Sequence, residues 1–160
     1  MSIDFSRNRT QERYESILGI STPEELKKNK GLFEGHSLSD SDVALLKPLL
    51  EQDALDFFNN AIISFSEGID SIYSKRFSWA TVKLYYSVFY LLRTSMACNN
   101  VALLRNRKMY RLRLKKGEKP YGTGNKKYNS THSGTIAHYK DIFSGSDMLL
   151  TNKIDDIDAY

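Results

Sequence analysis

Over 160 residues the chain holds one cysteine, one tryptophan and three prolines. A lone thiol excludes an internal disulfide framework and a zinc site built from cysteines. Cys98 sits inside an apolar helical run, which predicts a buried, reduced thiol in a cytoplasmic protein. No uninterrupted apolar stretch reaches membrane-spanning length, and the opening MSIDFSRNRTQERYES has no apolar core between its charges. Neither a spanning helix nor a secretory leader is therefore expected. Histidine is also scarce, with only His36, His132 and His138. The glycines of GTGNKK lack the spacing and the strand-loop-helix context of a nucleotide-binding loop, so this stretch reads as a flexible turn. The acidic end, Asp155, Asp156 and Asp158, reads as a solvated tail or helix start rather than a magnesium ligand set. No cofactor and no metal centre is indicated.

What is abundant is positive charge in one place. The net charge is +4, yet from Arg105 to Lys127 there are ten basic residues against one acid, Glu118. They are Arg105, Arg107, Lys108, Arg111, Arg113, Lys115, Lys116, Lys119, Lys126 and Lys127. The remainder holds 13 basic and 18 acidic residues, so the molecule is electrically two-sided. A local field of that kind suits a polyanion. With 41% hydrophobic residues the chain is long enough for one sizeable core, and a single domain over 1–160 is expected.

Apolar periodicity predicts a mainly helical chain. TQERYESILGI reads as a helix stopped by Gly19, and STPEELKKN carries a capping hydroxyl, a first-turn proline and early glutamates, a helix start. GLFEGHSLSDSD reads as a loop with a solvated His36. From Ser41, residues Leu50, Ala54, Phe57, Phe58, Ala61, Phe65 and Ile69 recur at spacings of three and four, predicting one apolar helix face with a break or kink at Pro48. After a short SKRF link, Ser78 can cap WATVKLYYSVFYLLRTSMAC, apolar nearly all round and so expected to be the central helix. The short link makes the two long helices an antiparallel hairpin.

From Val101 the period becomes two. Tyr110 to Lys115 alternates apolar and basic residues, predicting a β-hairpin that turns near Asn106 and presents Arg111, Arg113 and Lys115 together. A charged strand face can equally protect a sheet edge. KKGEKPYGTGNKKYN reads as a mobile loop. Tyr110, Tyr121 and Tyr128 lie among the cations, where they could stack on unpaired bases.

Two of the three histidines lie in NSTHSGTIAHYKDIF. Ser130 or Thr131 is a ready cap, and His132, Ile136, Tyr139 and Phe143 mark one helix face. His138, six positions on, is rotated about 120° from His132 at about 100° per residue, so the pair is not expected to share one metal or phosphate. His132 is either a capping or core-edge side chain, or a general base or acid beside a bound phosphodiester, with Asn125 as an orienting group and Arg111, Arg113, Lys126 or Lys127 as clamps.

The stretch ALDFFNNAIISFSEGIDSIYSKRFSWATVKLYYSVFYLLRTSMACNN resembles the helical hairpin of HEPN domains, through Ser78, Ala80, Tyr85, Tyr86, Ser87 and Phe89. THSGTIAHYKDIF is similar to their histidine-opened helix, here His132 to Phe143. The resemblance spans roughly residues 53–143. It implies an up-and-down helical bundle, homodimerisation through the long helices, and roles in RNA cleavage, toxin–antitoxin pairs or phage defence. The arginine-to-histidine ribonuclease spacing of that family is not found; the nearest is Asn125 to His132.

These readings combine into an all-α, HEPN-like bundle with an N-terminal helical extension (1–40) and a small basic β-hairpin and loop insertion (101–128). The expected function is recognition of RNA or another polyanion in a bacterial toxin–antitoxin or phage-defence setting, with a metal-independent endoribonuclease activity centred on His132 as its catalytic form. The competing class is a non-catalytic module that dimerises and docks an acidic protein partner, such as an antitoxin. Neither reading involves a membrane.

Overall fold

The computed structural model describes residues 8–123 and 125–144; the expectations for the acidic end fall outside them. Six α-helices and one two-stranded antiparallel sheet follow in the order α1 (Arg9–Ile17), α2 (Pro23–Lys28), α3 (Lys30–Gly35), α4 (Asp40–Tyr73), α5 (Phe77–Cys98), β1 (Val101–Asn106), β2 (Lys108–Arg113) and α6 (Thr131–Phe143). The fold is mainly helical, and no helix among the described residues is long and apolar enough to cross a membrane.

Local chemistry starts and stops several of these elements, although α5 begins at Phe77 with Arg76 at its cap position and no side-chain cap bond, so the expected cap Ser78 lies inside the helix. Asn8 caps α1 through Gln11 N–H, and Gly19 closes it at φ +69°, a conformation glycine adopts without strain. Thr22 and Glu25 form a reciprocal capping box on α2, and Ser39 and Asp42 another on α4. Strands β1 and β2 pair Val101 with Arg113 and Asn106 with Lys108, leaving Arg107 at the turn with φ +64°.

The α4–α5 hairpin departs from expectation in its seam. Ala61, Ser64, Gly68 and Ser71 are the buried positions of the distal half of α4, and they face Ala80 and Ser87 of α5. A Cβ on Gly68 would stand 2.9 Å from Leu84 Cδ2, so the helices meet through small residues. Phe58 and Phe65 of the expected stripe are turned outward, 44% and 52% exposed, because that close seam has no room for rings. Helix α5 is likewise covered on one side only, with Trp79 at 53% and Val88 at 56%. For the same reason Cys98 is exposed rather than buried. Pro48 does not end α4, which runs through it from Asp40 to Tyr73; Leu46 and Leu50, both buried, anchor the turns on either side.

The β-hairpin is not an appendage. Ala102, Leu104, Tyr110, Leu112 and Leu114 point into one core with Tyr14, Leu26 and Phe33 of α1–α3 and Leu46 and Leu50 of α4. Val101, Leu103 and Met109 point the other way, onto Met96 of α5 and Tyr139 of α6. The sheet is thus sandwiched between the N-terminal helices and α6, and Tyr14, Ile20, Leu26, Phe33 and Leu38 of the N-terminal segment belong to the larger core cluster. GLFEGHSLSDSD includes a short helix, α3, held by the Tyr14 hydroxyl donating to Phe33 O (2.8 Å). His36 is half-buried and its Nε2 lies 3.2 Å from Asp42 Oδ2, so it is a partnered side chain instead of a solvated one.

Both edges of the small sheet are occupied, which removes the open hydrogen-bonding row that invites aggregation. On β1, Gln11 exchanges two bonds with the Arg105 backbone (2.8 and 2.9 Å). On β2, Arg111 and Tyr121 exchange two backbone bonds (3.0 and 2.8 Å). The segment read as a mobile loop is accordingly fastened: Leu38 N–H donates to Glu118 O, and Gly117 N–H to Leu38 O.

Candidate functional site

Five elements surround one open cleft of about 920 Å³. Helix α4 contributes Asp53, Asp56, Phe57 and Asn60, and α5 contributes Tyr86, Phe89, Tyr90 and Arg93. Arg9 and Glu12 come from α1, Arg105 from β1, and Thr131 and His132 from the first turn of α6. The formal charges of the lining cancel. Asp53 accepts from the amides of Arg9 and Thr10 and from the Thr10 hydroxyl, and Asp56 accepts from the Arg9 guanidinium. Asp53 and Asp56 are therefore engaged in holding α1 to α4, while Arg93 and Arg105 line the cleft together with His132.

Arg93 is the most constrained cation of the cleft. Its guanidinium carbon lies 4.1 Å from the Phe57 ring centre and 5.9 Å from that of Phe89. Its Nε is buried without a hydrogen-bond partner among the described residues, and burial pulls its pKa down to about 10. A buried donor left unmade costs about 1–3 kcal/mol.

His132 stacks beside it. Its ring centre is 4.6 Å from Phe89 and 5.6 Å from Tyr86, and Nδ1 is 3.2 Å from the Tyr85 hydroxyl. Burial, and then the Arg93 charge, hold its pKa below the ordinary histidine value, so the imidazole is neutral at pH 7. The cap of α6 is Ser130, which accepts from Ser133 N–H. His132 is thus released from capping and is a cleft residue. His138 faces elsewhere: it is fully buried, with Nε2 3.2 Å from Met109 O and its ring 4.6 Å from Tyr128. The two histidines share no site, as their rotation about the helix predicts.

The remaining cations do not gather on one face. Arg105 enters the cleft and donates to Thr131 Oγ1. Arg107 is exposed at the hairpin turn, while Lys108 reaches Thr123 O at 2.8 Å. Arg111 and Arg113 line a separate pocket of about 260 Å³ with Lys119. Lys115 does not project with them, because the chain turns after Leu114 and Lys115 N–H bonds back to Arg113 O. Lys116 pairs with Asp40. Lys126, exposed, opens a 3-10 turn with Lys127 and Tyr128. Asn125 is exposed and is not among the residues lining the His132 cleft.

The residue that sequence reasoning missed is Arg93. Its signal was there: from Leu84 to Cys98 it is the only charged residue, and a lone cation in a helix apolar on nearly every side needs a reason. A comparison with protein families, curated proteins and solved structures finds no match to this chain.

Proposed function

We propose that the chain binds single-stranded RNA in the Arg93–His132 cleft, in a bacterial toxin–antitoxin or phage-defence setting. The observation that carries this reading is a buried, partnerless arginine donor next to a neutral histidine and a helix amino terminus, a combination suited to a phosphate. Tyr86 and Tyr90 supply rings on which unpaired bases stack. With Arg93 and Arg105 as the phosphate contacts, the salt slope for a single strand is about −1.4, so affinity falls about sevenfold from 50 to 200 mM salt.

In the catalytic form of this reading the 2′-hydroxyl of the substrate attacks the adjacent phosphorus and His132 accepts its proton; the P–O5′ bond breaks to leave a 2′,3′-cyclic phosphate, the departing 5′-oxygen takes a proton from water, and Arg93 and Arg105 stabilise the charge that develops on the phosphate oxygens. That role requires Nδ1–H to donate to the Tyr85 oxygen, leaving Nε2 as the free acceptor. Tyr85 is then a positioning residue, and Tyr85→Phe lowers the cleavage rate while keeping affinity. The decisive experiment measures binding and cleavage of a mixed-sequence RNA by the full chain beside Arg93→Met and His132→Ala. Loss of binding in the first and loss of cleavage alone in the second support the reading. Unchanged binding in Arg93→Met overturns it.

A second reading, of the protein-interaction class, is favoured by the hairpin. Phe65, Ile72, Phe77 and Val88, which follow the seam positions on one face of the hairpin, are each more than 40% exposed, and exposed apolar surface of that kind marks an interaction face. The occupant that fits is a second copy, which would cover the same row on both chains in one symmetric contact, with an acidic protein partner at the basic hairpin. Sedimentation of wild type against Phe65→Lys with Val88→Lys tests it, and a wild-type monomer at micromolar concentration removes it.

A further inference from the structure

The 260 Å³ pocket at the other end of α6 is a second site, separate from the cleft. Arg111, Arg113, Lys119, Glu118 and Tyr121 line it over Val101 and Ile142. We infer that this pocket binds a phosphate monoester, the terminal phosphate of an RNA 5′ end or of a free nucleotide. Three observations carry the inference.

First, the pocket is built. Arg111 lies with its guanidinium carbon 4.4 Å from the Tyr121 ring centre, and the two residues exchange backbone bonds. Gly122 follows where a Cβ would come within 2.5 Å of the Tyr110 ring, so the segment bearing Lys119 and Tyr121 is pressed against the sheet.

Second, its cations are only partly committed. Arg111 Nη1 is buried and makes no hydrogen bond among the described residues, and Asp141 Oδ2 stands 3.9 Å away. That carboxylate already accepts from the Tyr128 hydroxyl. Among the described residues no ion pair involves Arg113, Lys119 or Glu118.

Third, size and charge agree on the ligand. The volume falls below the roughly 300–1,000 Å³ of pockets that take a whole small molecule, which limits the enclosed part to a group such as phosphate. Three cations against Glu118 leave a net charge of +2 in the lining. A phosphate monoester carries about −1.5 to −2 at pH 7 and three acceptor oxygens, whereas an internal phosphodiester carries only one charge. The cleft is not needed for this inference, and its failure would leave the pocket untouched.

The test uses the full chain and three probes: inorganic phosphate, a short oligoribonucleotide with a 5′-phosphate, and the same oligonucleotide with a 5′-hydroxyl. One charge-assisted contact set predicts an advantage of about tenfold for the phosphorylated end. The advantage falls to less than about twofold in Arg113→Gln with Lys119→Gln, both exposed positions that leave the core intact, and it persists in Arg93→Met. It also shrinks below about pH 6, where the monoester loses its second charge. Tighter binding of the phosphorylated oligonucleotide than of phosphate assigns the site to RNA ends, and equal binding assigns it to the free phosphate group. Equal affinity for both oligonucleotides without phosphate binding, or an advantage that survives the double substitution, overturns the inference.

Discussion

Replacing Arg93 by methionine separates a residue kept for binding from one kept for folding. Burial pulls the guanidinium pKa from its ordinary value down to about 10, more than two pH units. At about 1.4 kcal/mol per pH unit this is about 3 kcal/mol of disfavoured charge. The sign follows from the direction: a cation whose folded pKa is depressed destabilises the fold at every pH below that value, including pH 7. Against it stands the contact with Phe57 at 4.1 Å, worth about 1–2 kcal/mol for a desolvated pair. Methionine retains the packing on Phe57 and Phe89 without the charge, so the variant is expected to be about 1–2 kcal/mol more stable, a rise of about 5 °C in Tm for a domain of this size. Thermal unfolding followed by circular dichroism at pH 7 reads the change, beside RNA affinity measured on the same preparation. A drop in Tm of several degrees would refute the reasoning, because Arg93 would then be a structural clamp whose desolvation is already offset.

Other outcomes follow from the same structure. Asp53→Ala removes the acceptor for two backbone amides and for the fully buried Thr10 hydroxyl, and is expected to cost about 3 kcal/mol in a denaturant titration; a cost under about 1 kcal/mol would mean α1 is held by its apolar face alone. Gly134→Ala brings a Cβ within 2.6 Å of Met109 Cγ and 3.2 Å of Tyr128 O, so overpacking outweighs the helix-propensity gain and stability falls by about 1–2 kcal/mol; any gain contradicts the close approach. His132, with its pKa held below 6.5, contributes stability that is present above pH 6.5 and is lost as pH falls from there towards its folded value. The fall in denaturation midpoint between pH 7 and pH 5 is therefore smaller in His132→Gln than in wild type, and equal slopes would exclude the partly buried, neutral imidazole.

Elements defined by neighbouring residues were legible from the sequence: α1 from its apolar spacing and Gly19, α2 from its cap, and the β-hairpin from the alternation of Tyr110 to Leu114. Pairings over long distances were not. A stripe containing Phe57, Phe58 and Phe65 has the right helical period, but period does not reveal whether a neighbouring helix will sit on rings or on Ala61, Ser64 and Gly68. The basic residues of β2 suggested an insertion facing solvent; their apolar alternates, Tyr110 and Leu112, are fully buried against α1 and α3, which depends on partners about ninety residues away. The site was half visible. His132 stood out by its residue type, whereas Arg93, 39 positions earlier, has meaning only once α5 and α6 pack together.

The sandwiched hairpin has a consequence for synthesis. Tyr14, Leu26 and Phe33 complete their core with Tyr110, Leu112 and Leu114, which leave the ribosome long after them. At about 5–20 residues per second, the N-terminal helices wait on the order of 5–20 s for the strands that cover them. During that interval they expose the apolar groups that chaperones bind, and the long α4–α5 pair emerges with its rings uncovered. The chain is then most vulnerable while it is being made, before its final layer, α6, arrives to close the second face of the sheet.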